Sequence, residues 1–119
     1  MYINAAGFYI PEERVPNEYY TQKTGLTDEW IVQRTGIKTR SRARQDENMN
    51  TMSVEAVRNT LPSLPYDIKE VELIISSTYS PFDTVGTAAH VVQYEFGIEN
   101  AKAFTMSSAC SSFVNALEI

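Results

Sequence analysis

The chain has 119 residues, 43% of them hydrophobic, which supports one globular unit of modest core and excludes a long second domain. Ten basic residues against fifteen acidic ones leave a net charge of -5, which argues against an electrostatic nucleic-acid binder. No apolar run approaches the roughly 18 residues of a membrane span, and the start MYINAAGFYI lacks the basic flank and cleavage signal of a secretory leader, so the expected location is the cytoplasm.

Alternation in residues 2–10 predicts a first strand, ended by Pro11, and Asn17 is placed to cap a short helix that stops near Gly25. A second helix follows in TDEWIVQRTG. Thr27 is its expected N-cap, Asp28 and Glu29 sit where the helix dipole favours acid, and Gly36 supplies the left-handed C-terminal turn. Trp30 and Arg34 then share one helical face.

Residues 37–50 are polar and read as a loop. A third helix from about residue 51 must end before Pro62, whose ring and missing N–H break the helical ladder. VELIISST reads as a strand buried on both faces of a parallel sheet. Asp83 is the expected cap of a helix running to Gly97, with Val85, Ala89, Val92 and Phe96 on one stripe. Residues 101–106 predict another strand, and SSACSSFVNALEI then turns to helical spacing, so that the sequence stops in mid-helix. No repeat or linker divides this alternation, which predicts one α/β unit.

Four features carry possible chemistry. Cys110, the only cysteine, allows neither an internal disulfide nor a metal site, and it lies among small residues at the predicted strand-to-helix junction. There the unsatisfied N–H groups of a helix start favour a thiolate nucleophile; the alternative is a small residue packed in a crowded turn. His90, the only histidine, falls off the apolar stripe of its helix and reads as an exposed residue without a catalytic part. Trp30 with Arg34 suits an aromatic base carrying phosphates, although a lone tryptophan in a small domain is more often a core residue. Arg34, Lys38, Arg40, Arg42 and Arg44 form a basic strip with no acid between them, either a phosphate site or a solvated loop.

Gly7 with Tyr9-Ile10-Pro11, Val15, Asn17, Glu29-Trp30-Ile31, Arg34-Thr35-Gly36-Ile37 and Arg40 resembles the opening of beta-ketoacyl-acyl-carrier-protein synthase III. Asp67-Ile68, Ile74-Ile75, Ser77-Thr78, Ala88-Ala89, Gln93, Gly97 and Ala109-Cys110-Ser111 follow in the family's order. The resemblance implies an α/β, thiolase-like fold of two similar halves, with residues 1–119 as the N-terminal half and the catalytic His and Asn in the other half. It implies that Cys110 takes an acyl group from coenzyme A, that Trp30 and Arg34 contact the adenine-nucleotide portion, and that malonyl-acyl-carrier protein is the acceptor. A homodimer is expected, with no metal, no nucleic acid, no membrane, and no cofactor apart from acyl-coenzyme A as substrate. Acidic acyl carrier proteins give the basic strip a second possible role in steering.

Two positions depart from the family pattern. Val85-Gly86-Thr87 replaces an aromatic-Pro-Ser, and because that aromatic closes the acyl tunnel of the partner subunit, Val85 implies a longer or branched primer. Ser112 replaces the glycine two places after the nucleophile. Two alternatives stay open: a synthase using coenzyme A esters or aromatic primers, and a non-catalytic thiolase-like partner subunit, which would not need the thiol.

Overall fold

A computed structural model describes residues 2–119, which fall into two compact units. One joins the segment ending at Tyr9 to Asn48–Ile119; the other is Ile10–Glu47.

The smaller unit is a two-stranded antiparallel sheet with two helices between its strands. β1 (Glu13–Pro16) pairs with β2 (Thr39–Arg42), bringing Glu13 opposite Arg42 and Val15 opposite Arg40. Between them lie α1 (Glu18–Thr24) and α2 (Asp28–Thr35). Each helix ends on a glycine with φ 72°, at Gly25 and Gly36, a left-handed turn that other residues adopt only under strain. Thr27 caps α2 as expected, its Oγ1 accepting from the Trp30 N–H at 3.1 Å. Asn17 stands at the N-cap position of α1, but its side chain makes no capping bond there. It is fully buried instead, and its Nδ2 donates to Asp28 Oδ1 at 2.6 Å and to the Ile37 carbonyl at 2.8 Å while its Oδ1 accepts from Arg40. Val15 and Ile31 are buried apolar side chains of the same unit.

In the larger unit α3 (Met49–Thr60) opens on a reciprocal cap. Asn48 accepts from the Thr51 N–H, and the Thr51 hydroxyl accepts from the Asn48 N–H. Pro62 ends the helix as predicted, in a single tight turn over Leu61–Ser63. β3 (Leu73–Ser77) then leads through α4 (Ala88–Glu95) to β4 (Lys102–Met106), and the two strands pair in parallel, Leu73 with Lys102 through Ser77 with Met106. Parallel neighbours require such a crossover, and here α4 supplies it. Ala88, Ala89, Val92, Ile98 and Val54 form the core where α4 packs on α3 and on the sheet. The short α5 (Ser112–Leu117) contacts β3.

Four expectations are corrected. Residues 2–10 form no strand: Gly7 and Phe8 lie against α3, the segment has no ladder partner among the described residues, and apolar alternation alone supplies no hydrogen bonds. The predicted loop 37–50 contains β2, whose partner is remote in sequence. β3 is half-buried rather than covered on both faces, because only α4 and the short α5 pack on it among the described residues. Asp83 does not cap α4; its Oδ1 accepts from the Val85 N–H in a turn, the helix begins five residues later, at Ala88, and Val85 lies off the buried stripe, 86% exposed.

Candidate active site

β3 and β4 are parallel, so their carboxyl ends share one edge, the usual place for ligands in an open α/β sheet. The chain leaving β3 reaches Tyr79 there, and the chain leaving β4 reaches Ala109 and Cys110. These three residues line an open, mainly apolar depression of about 400 Å³. The Cys110 thiol is exposed. Sequence reading found the cysteine but missed Tyr79, which no local pattern joins to residue 110.

Small side chains let the turn before α5 fold back on itself. The Ser111 N–H and hydroxyl both bond the Ser108 carbonyl, at 3.2 and 2.8 Å. The Ser112 hydroxyl donates to the Ala109 carbonyl at 3.0 Å and accepts from the Ser108 N–H. Ala109 itself has φ 49°, the one non-glycine among the described residues with positive φ. Cys110 therefore stands at the apex of a closed turn, two residues before the first residue of α5.

His90 is not brought to this turn. It sits exposed in the first turn of α4 with its Nδ1 bonded to the Thr87 hydroxyl at 2.9 Å, and it lines a different depression with Gln93, Tyr94 and Gly97.

Trp30 and Arg34 belong to the smaller unit and meet there, as their spacing on α2 predicts. The guanidinium carbon lies 5.3 Å from the centre of the indole ring, and Trp30 is 44% exposed, so this tryptophan is not a core residue. The pair presents a flat cation stacked on a flat ring, with Arg34 in no ion pair among the described residues. A depression of the same unit, about 560 Å³, is lined by the carboxylates of Glu18, Asp28 and Glu29 with Lys38 as the single cation, an unfavourable set for phosphate, and by neither Trp30 nor Arg34.

Most of the basic strip is already engaged. Arg40 bonds Asn17 and the Val15 carbonyl. Arg42 pairs with Glu13, whose hydrogen bond raises the pKa of the guanidinium above its ordinary value. Arg44 pairs with Glu12, Asp46 and Glu47. The acids that neutralise the strip, Glu12, Glu13, Asp46 and Glu47, lie before it and after it in sequence, outside the window in which it reads as uninterrupted.

Comparison with known proteins follows the same outline. No family model matches the chain. It is 38% identical over 112 residues to a beta-ketoacyl-[acyl-carrier-protein] synthase III of Prochlorococcus marinus, covering 94% of this chain and 33% of the relative. A synthase III of Ehrlichia canis is 40% identical over 113 residues, covering 95% and 35%. Among solved structures, 3-oxoacyl-[acyl-carrier-protein] synthase III from Aquifex aeolicus superposes with a TM-score of 0.88 at 33% identity, over 98% of this chain and 37% of that one. The priming beta-ketosynthase from the R1128 polyketide pathway gives 0.88 at 34% identity, over 97% and 34%. The fold is therefore the α/β fold of the thiolase-like condensing enzymes. Within that class the chain is homologous to beta-ketoacyl-[acyl-carrier-protein] synthase III, and it spans about a third of the length of the curated relatives it matches.

Proposed function

We propose that this chain is the nucleophile-bearing part of a condensing enzyme that joins an acyl-coenzyme A primer to malonyl-acyl-carrier protein and so starts a fatty-acid or related acyl chain. The observation that carries this reading is the exposed Cys110 at the apex of a closed turn, at the shared carboxyl edge of β3 and β4, in an apolar depression. An exposed thiol is poorly explained as packing, and an apolar recess beside it suits an acyl chain.

In the proposed reaction Cys110 Sγ attacks the thioester carbonyl. A new carbon–sulfur bond forms to the protein, the bond to coenzyme A breaks, and coenzyme A leaves as a thiol carrying the cysteine's proton. The acyl-cysteine keeps the primer activated. Decarboxylation of the malonyl group then releases CO2 and leaves a carbanion, which attacks the acyl carbonyl; the new carbon–carbon bond forms as the carbon–sulfur bond to Cys110 breaks, and the departing thiolate takes a proton from solvent to restore the thiol. Stabilising that carbanion falls to a His and an Asn outside these residues, so residues 1–119 alone bind primer weakly and do not condense. Trp30 stacks on the adenine and Arg34 pairs with phosphate, a homodimer is the working form, and the site of action is the cytoplasm.

Intact-protein mass spectrometry of the complete enzyme, this chain joined to its His- and Asn-bearing half, tests the reading. Incubation with acyl-coenzyme A primers of increasing length is expected to add one acyl mass to the wild type and none to Cys110→Ala. A wild type that gains no mass with any primer, or an alanine variant that gains the same mass, removes the assignment. Dominance of the longer primers would support the open position at Val85.

A further inference from the structure

The chain leaving β3 stays tied beyond the end of the strand. The Thr78 N–H donates to the Met106 carbonyl at 3.2 Å, one step past the pairing of Ser77 with Met106, and the Ser80 N–H donates to the Thr78 hydroxyl at 3.2 Å. Tyr79 lies between these two bonds, so its backbone is held against the end of β4, from which the chain runs on to Ala109 and Cys110. Of the three residues lining the depression at the thiol, Ala109 brings only a methyl group and Cys110 the reacting atom. The apolar bulk of that surface is therefore the Tyr79 ring. Tyr79 is 80% exposed, so little of its own chain covers the ring and its face is free for an occupant.

Resting on the reading of Cys110 as the acyl-accepting nucleophile, we infer that Tyr79 is a specificity-determining residue: its ring is the surface on which the acyl chain bound for Cys110 lies, and it favours primers longer than acetyl. Acetyl offers the ring a single methyl group. Each further methylene adds apolar area that ring and chain remove from water together. The chain already lies on the ring as Sγ attacks the carbonyl, so the gain appears in the ratio of specificity constants between primers.

The test compares wild type, Tyr79→Ala and Tyr79→Phe in the complete enzyme, with acylation of Cys110 by acetyl-coenzyme A and by hexanoyl-coenzyme A followed by intact mass. An exposed side chain can be truncated at little cost to the fold. Wild type is expected to favour hexanoyl, Tyr79→Ala to lower the hexanoyl-to-acetyl ratio about tenfold, and Tyr79→Phe to keep it within about twofold. A wild type that favours acetyl overturns the inference, as does a ratio that Tyr79→Ala leaves unchanged. A ratio that rises in Tyr79→Ala also overturns it, since the ring is then a barrier, and an equal fall in Tyr79→Phe assigns the effect to the hydroxyl instead. Alkyl methanethiosulfonates read the same surface without coenzyme A: a disulfide forms between Cys110 Sγ and the alkylthio group as the bond to the sulfonyl sulfur breaks, and methanesulfinate leaves. If no variant is acylated by any primer, the acyl-transfer reading falls; a preference for the hexyl over the methyl reagent that only Tyr79→Ala loses still sustains the ring as the apolar surface at the thiol, and equal preference in all three proteins overturns it.

Discussion

Asn17 decides whether the smaller unit closes. A sequence reading gives it an ordinary part, the cap of a short helix, whereas the structure buries it completely among Asp28, Arg40 and the Ile37 carbonyl. Truncation removes at once its bonds to the Asp28 carboxylate, the Arg40 guanidinium and the Ile37 carbonyl, two of them to charged groups, and leaves a gap where a fully buried side chain stood, although Asp28 and Ile37 themselves keep access to water. Asn17→Ala is expected to destabilise this unit by about 3 kcal/mol, measured by urea unfolding with Trp30, the only tryptophan, as the fluorescent reporter. Residue-level legibility followed locality. Cys110 among small neighbours and the Trp30–Arg34 pair are written in consecutive or helically spaced residues. Asn17, Tyr79 and the ion partners of Arg42 and Arg44 depend on contacts made across the fold, and no window of sequence contains them.

The helices α1, α2 and α3 were readable chiefly from their ends, at Gly25, Gly36 and Pro62, and α2 also from its cap at Thr27; the cap of α3 at Asn48 went unread, and its start was placed two residues late, at about residue 51. α4 was found, but its start was misplaced, since an Asx turn at Asp83 resembles a cap in sequence. Strands fared according to their neighbours. β3 and β4 are short apolar runs and were recognised; β2 is the polar run TRSR, a strand only because β1 lies beside it with Glu13 opposite Arg42. Residues 2–10 failed in the opposite way, alternating like a strand while resting on α3. The contact is close at Gly7, where an added Cβ would fall 2.0 Å from Thr60 Oγ1 and 2.8 Å from the Ala56 carbonyl oxygen. The second clash is with backbone and cannot be relieved by a rotamer. Gly7→Ala is expected to cost about 1–3 kcal/mol and to free the N-terminal segment from α3, seen as faster amide exchange around Phe8, whose carbonyl accepts from Asn59 at 3.1 Å.

Taken together, the 119 residues bury few large side chains and leave many in water. Among the described residues Phe104 and Leu73 on the strands and Phe113, Val114 and Leu117 on α5 are all exposed, and the β3–β4 sheet has unpaired edges. Such surfaces seek partners, and an open edge pairs readily with a second copy of itself. The chain is expected to self-associate, with a weight-average mass that rises with concentration in sedimentation equilibrium. A single monomer mass across the range would show that these faces are tolerated in water. No helix of the structure is long and apolar enough to cross a membrane.

The parallel pairing of β3 with β4 also has a consequence in time. Ser76 and Thr105, whose hydroxyls meet at 2.5 Å across the two strands, are 29 residues apart in the chain. Bringing ends that far apart together costs about 3 kcal/mol of loop entropy beyond a constant. Nothing local repays that cost until α4 has formed and shortened the span. The turn that carries Cys110 hangs from the end of β4, so the most local feature of the site, a run of six neighbouring residues from Ser107 to Ser112, takes its shape only after one of the least local events in the fold. On the proposed reading of Cys110, a newly made chain would thus hold a thiol before it holds a nucleophile.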